Sequence, residues 1–400
     1  MEIEKLILKF KQGFLIFGID FENNFKKISI PTKISFLSWT LLILFMSYQS
    51  LYWYFTIHNA PGVKFLLGTV AAGLIIFQIR VVIMLSKKSD LQETLTWIIA
   101  RYNHRSDPII EHFANPRFQH LITLFTKINN AYGLMVILST IILLILPLFM
   151  NSVDYILPFH ITFFAEKGFP YFEINYICQS FICILASLAT ALYISLYVLI
   201  LTHIIVELNV ILEMCQMVGG YEEWLFELEE VLVNDEKMVP LMPVNCQKFE
   251  VIIKNIVNMH NDVSDIINTV SDFYSLNIFL WEILFVSMKC FTFLIITVYT
   301  EMSYMIPLSI AFISQYFVIC FLSTKMGENY DEIGTQIYSS KWYYLTKWQK
   351  RELFIVMNFA QQSKTLTSGG MADLTLERFT TVMKFTYNLC LLLQHFIKKN

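Results

Sequence analysis

Apolar residues run along this chain in long blocks separated by shorter polar stretches. A helix that crosses a hydrocarbon core of about 30 Å needs roughly 20 mostly apolar residues. Blocks at 34–57, 63–86, 131–150, 174–202, 273–299, 303–324 and 374–397 reach that length. The pattern therefore predicts seven spans and an all-α membrane fold. "HNAPGV" joins the first two blocks and "TEMS" joins the fifth and sixth, each short enough to close a helical hairpin.

Between the blocks a different periodicity appears. In "QKFEVIIKNIVNMHNDVSDIINTV", residues Phe249, Ile252, Ile253, Ile256, Val257, Val263, Ile266 and Ile267 recur at three-and-four spacing. That spacing makes an amphipathic helix running into the fifth span. Residues 328–362, with Trp342, Tyr343 and Trp348, form another amphipathic segment. It either packs into a helical layer beside the membrane or lies among lipid headgroups, where aromatic residues are favoured. The chain thus divides into an N-terminal segment (1–33), spans one to four (34–202), a helical region (203–272), spans five and six (273–324), an anchor helix and turn (325–373) and a last span (374–400).

Composition agrees with the blocks, since only 15% of residues are charged against roughly 25% in a soluble domain. A net charge of -3 without a basic block gives no reason to expect nucleic acid. Twenty-two of the 29 Lys and Arg fall in 1–33, Arg80–Lys127, 203–272 and 325–373, and four fall on the other side. Short cytoplasmic loops collect such residues. The bias puts the N-terminus in the cytoplasm and the C-terminus outside, the reverse of a G-protein-coupled receptor, whose Asp-Arg-Tyr and Asn-Pro-x-x-Tyr motifs are also missing. "MEIEKLILKFKQGFLIFGID" lacks a clean apolar core and cleavage site, so it is not expected to be a cleaved signal.

No reaction chemistry competes. The eight histidines are dispersed without a matched nucleophile or carboxylate, the seven cysteines show no zinc spacing, and there is no phosphate-binding glycine loop. No enzyme, cofactor, metal or disulfide is expected.

The C-terminal stretch carries a resemblance. Tyr338, Trp342, Tyr343, Lys350, Arg351, Leu353, Met357, Ser363, Lys364, Leu366, Gly369, Leu376, Glu377, Phe379, Lys384 and Tyr387 follow in an order that resembles the terminal signature of insect odorant receptors. The chain departs from that signature at Gly370–Asp373, where aromatics and a proline are usual, and at Leu389–Leu393. The resemblance implies a tetrameric, odorant-gated, non-selective cation channel in the plasma membrane of olfactory dendrites, its seventh span lining the pore. It also implies assembly with a longer co-receptor subunit, whose insertion before span five has no room in 203–272. Gustatory receptors of the same superfamily are the alternative reading, followed by a seven-span transporter or metabotropic receptor.

The last span holds the candidate pore. At 100° per residue, Glu377, Thr381, Asn388, Leu391, His395 and Lys399 lie within about 60° of Lys384. This polar stripe is satisfied either across a helix bundle or by water in a pore that an apolar ring closes by dewetting. Helical geometry selects Leu391 for that ring, and family alignment selects Leu392, about 80° from Lys384. Glu282 and Lys289 in span five are intramembrane charges, read as structural pairing or as part of the pore vestibule. The resemblance further implies a ligand site in the outer half between spans two, three, four and six. It draws on Phe65, Thr69, Gly73, Ser139, Ile142, Leu146, Tyr176, Ser180, Phe181, Ile184, Tyr304 and Leu308. Such an apolar cavity with a few hydroxyls suits a small neutral volatile held by burial and dispersion.

Overall fold

A computed structural model of the chain describes residues 2–17, 19–21, 30–56, 61–103, 108–149, 171–218, 247–297, 306–340 and 342–399. Ten α-helices are described: α1 (Glu2–Leu15), α2 (Ile30–Thr56), α3 (Pro61–Ser86), α4 (Lys88–Asn103), α5 (Pro108–Phe149), α6 (Tyr171–Met217), α7 (Gln247–Thr297), α8 (Ile306–Ser339), α9 (Lys347–Ala360) and α10 (Leu376–Lys399). A two-stranded hairpin, β1 (Thr367–Ser368) with β2 (Ala372–Asp373), precedes α10. Among the described residues, five helices are long and apolar enough to cross a membrane, lying in α2, α5, α6, α7 and α8. A shorter apolar segment, Ala71–Ser86, lies in α3.

The helices outrun the apolar blocks. α6 continues to Met217, α7 starts as far back as Gln247, and α8 continues to Ser339. Their extensions share one end of the bundle, the near end, with α1, α4 and α9. The expected amphipathic face of α7 is buried there through Ile252, Ile253, Ile256, Val263, Ile266 and Ile267. It meets Ile204, Leu208 and Ile211 of α6 and Met326, Tyr330 and Ile333 of α8 in one apolar cluster. Asn329 donates to Asn209 across that core at 2.9 Å, so these two amides are paired.

Two local features depart from the expectations. The N-terminal segment is in part an amphipathic helix: Ile3, Ile7, Phe10 and Phe14 form its buried stripe, one turn apart along one face. Residues 328–362 are two elements rather than one. Ser340 turns its hydroxyl back to the Ile337 carbonyl at 2.7 Å, a 3-10 turn follows at Trp342–Tyr344, and Thr346 opens α9. Thr346 and Gln349 form a reciprocal capping box there, which satisfies donors left free at a helix start.

At the opposite end of the bundle the helices keep apolar side chains on the surface. Leu41, Leu44 and Tyr48 of α2 and Leu134, Ile137 and Ile141 of α5 are exposed. Lipid covers such a face at no hydrophobic cost.

Candidate functional site

The foot of α10 is tied to several elements at once. Gly369 and Gly370 both have positive φ (62° and 70°), and the Met371 N–H donates to the Ser368 carbonyl at 3.1 Å. This is the two-residue turn that needs left-handed conformations at both central positions, which glycine adopts freely. The Gly369 N–H donates to the Ser275 carbonyl of α7 at 3.0 Å, and the Thr324 hydroxyl of α8 accepts from the first N–H of α10, at Leu376, at 2.9 Å. The hairpin therefore delivers α10 against both α7 and α8.

Glu282 closes the arrangement. Its carboxylate is buried and accepts from the Tyr316 hydroxyl at 2.6 Å, the Ser368 hydroxyl at 2.8 Å and the Arg378 guanidinium at 3.1 and 3.3 Å. One residue of α7 thus binds α8, the hairpin and α10. The sequence marks Glu282 as an intramembrane charge, and only the packing of α7 against α10 makes Arg378 its partner. Lys289 is not part of this network: its ammonium donates to the carbonyl and hydroxyl of Ser309, which also accepts from Thr292. Seven residues separate Glu282 from Lys289, about 10 Å along a helix, so they serve separate contacts.

Beyond its foot, α10 has two faces. Val382, Thr386 and Cys390, four residues apart, are buried, and the Cys290 thiol of α7 points to the Thr386 carbonyl. Glu377, Thr381, Lys384, Asn388, Leu391, Leu392 and His395 are exposed on the surface of the single chain. The structure therefore brings the candidate pore residues together on one helix and leaves them facing away from their own bundle. The side chain of Lys399 lies outside the described ones.

The expected ligand residues divide. Tyr176 donates to the Leu144 carbonyl, and Ser139 is buried with its hydroxyl on the Val136 carbonyl. These, with Ile142 and the buried Ser180 hydroxyl, sit where α5 meets α6. Gly73 lies on α3 where α3 meets α7; an added Cβ would touch Leu284 at 3.4 Å. Phe181 and Ile184 are exposed and do not join that junction. Tyr304 lies outside the described residues, as do the side chains of Phe65, Thr69, Leu146 and Leu308.

At the near end a groove of 820 Å³ runs between the last turn of α8 and α9. Tyr338, Trp342, Trp348, Lys350, Arg351 and Phe354 line it. Among the described residues no cluster of three His, Cys, Asp or Glu is placed to hold a metal, and the six described cysteines are free thiols.

Comparison with known proteins gives the arrangement a context. A family model described as 7tm Odorant receptor matches residues 63–387. The fold matches two solved structures of the insect olfactory receptor OR5 from Machilis hrabei, one of them in complex with eugenol. In each case the TM-score is 0.80, the identity 12%, and the match covers 98% of both chains. No curated protein sequence matches.

Proposed function

The chain belongs to the 7tm odorant receptor family, and from that premise we propose that it is the odorant-binding subunit of a ligand-gated, non-selective cation channel. In this reading seven helices span the membrane, with the near end of the bundle in the cytoplasm and the C-terminus outside. Small apolar volatiles bind in the outer half, and four subunits, including a co-receptor, surround one pore.

The observation that carries this proposal is the outward face of α10. A lone membrane helix that exposed Lys384, Asn388 and His395 to lipid would be strongly disfavoured. Turned toward three neighbouring subunits, the same stripe meets water in a shared pore. The groove at α9 supports assembly as well. Trp348, Phe354, Ile355 and Phe359 are exposed on one short helix, an apolar patch of the kind that marks a protein contact.

Gating follows from where α10 is held. Its foot is fixed by the Gly-Gly hairpin, the Thr324 contact and the Glu282–Arg378 pair, which leaves the rest of the helix as the part to move. An odorant with higher affinity for the state in which that length swings outward populates it, by an amount set by its differential affinity. The eugenol complex concerns the Machilis hrabei relative; which volatile opens this channel is found by recording.

Co-expression with a co-receptor subunit, in cells without added G-protein reagents, tests the proposal. Odorant-evoked cation current is expected. Absence of current across a broad volatile panel, with both subunits at the surface, would overturn it.

A further inference from the structure

Below Gly73 on α3, two turns nearer the cytoplasm, stands Arg80, a cation inside the bundle with 6% of its surface exposed. Its guanidinium lies 4.0 Å from the ring centre of Tyr193 on α6 and 4.9 Å from that of Trp281 on α7. Tyr274 of α7 packs edge-on to Tyr193 at 5.7 Å, and Tyr197 packs edge-on to Tyr274 at 4.8 Å. All four aromatic residues are more than nine-tenths buried.

Ring faces suit a guanidinium, but they leave two requirements unmet. The first is charge: among the described residues no carboxylate pairs with Arg80, and Glu282, the acid next to Trp281, is already taken by Arg378. The second is hydrogen bonding. Among the described residues the Arg80 Nε, the Tyr193, Tyr197 and Tyr274 hydroxyls and the Trp281 Nε1 are all buried and have no hydrogen-bond partner. Buried donors are normally paired, and a buried cation is normally neutralised. A cluster rich in donors, holding one positive charge and no anionic acceptor, lacks one kind of group.

We propose that Arg80, Tyr193, Tyr274 and Trp281 form a binding site for a single monovalent anionic group, either a halide ion or the carboxylate of a bound acid. The anion accepts from the Arg80 Nε, the Trp281 Nε1 and the Tyr274 hydroxyl, and it balances the charge that the rings only cradle. This site lies among α3, α6 and α7, deeper than the α5–α6 junction where Tyr176 and Ser180 sit. The proposal is independent of which odorant opens the channel.

The test is thermal melting of the full-length chain, purified in its assembly, at constant ionic strength with a bulky sulfonate as the reference anion. Chloride is titrated in one arm and octanoate in the other. A saturable rise in melting temperature with chloride identifies a halide site, and one with octanoate alone identifies an acid site; either supports the proposal. Tyr274→Phe and Trp281→Phe keep the rings and each remove one donor. Each should raise the half-saturating concentration about tenfold, the effect of losing one hydrogen bond to a charged group. Arg80→Gln should abolish the saturable response, and if that variant does not fold, the two ring-preserving variants decide. If neither anion gives a saturable rise in the wild type, or if both ring-preserving variants titrate like the wild type, the proposal fails.

Discussion

Glu282 is the residue on which four elements converge. Breaking a buried ion pair by removing one partner leaves the other charge uncompensated, which costs about 3–5 kcal/mol. Glu282→Ala should therefore lower the melting temperature of the purified receptor strongly, and Arg378→Met should do the same. A Glu282→Met, Arg378→Leu double variant should recover part of the loss, because an apolar pair leaves no unpaired charge; additive losses would show that the two charges act separately. Leu391 and Leu392 lie side by side on the exposed face of α10. On the proposal that one of them closes the pore, changing that one to Ser should raise odorant-independent current, and unchanged basal current in both Leu391→Ser and Leu392→Ser would remove the gate from this pair. At the near end, burial, aided by the neighbouring Lys364 ammonium, holds the His260 imidazole below its ordinary 6.5. The folded state therefore keeps His260 neutral while the unfolded chain protonates first as pH falls. Stability from this source is complete above about pH 6.5 and declines below it. His260→Phe, which keeps a ring beside Tyr330, should flatten the fall in melting temperature on acidification.

Among the elements, the hairpin before α10 shows how a short sequence sets a long helix. Gly369 and Gly370 were visible as a turn, and the chain there lacks the aromatics and proline of the family signature. The structure distinguishes the two glycines. A Cβ at Gly369 would come within 3.2 Å of Phe279 as well as facing an unfavourable φ, whereas one at Gly370 would meet nothing within 4 Å. Gly370→Ala should cost only the left-handed backbone penalty, roughly 1–2 kcal/mol, and Gly369→Ala distinctly more; thermal unfolding of the two variants checks the order. α1 carries the opposite lesson. Its stripe of Ile3, Ile7, Phe10 and Phe14 stands at helical spacing, but the Lys and Glu between them break it into short runs, and the helix emerges only in the fold.

For the whole molecule, the exposed face of α9 and the exposed stripe of α10 are two surfaces that one chain leaves uncovered. If both are subunit contacts, Phe354→Glu should break the assembly without unfolding the helix, since Phe354 is exposed in the single chain. Size-exclusion chromatography with light scattering should then show smaller particles with unchanged helical content. Particles of unchanged size would place the subunit contact elsewhere.

The sequence by itself determined the membrane class, the positions of the apolar blocks, the inward face of the amphipathic segment that begins α7, and the family signature. Those properties follow from composition and from periods of a few residues, and a local pattern survives folding. Only the tertiary structure decided that Glu282 holds Arg378, that Arg80 stands among aromatic rings, and that one face of α10 turns away from its own bundle. Each depends on which helices become neighbours, and neighbours far apart in the chain leave no periodic trace along it.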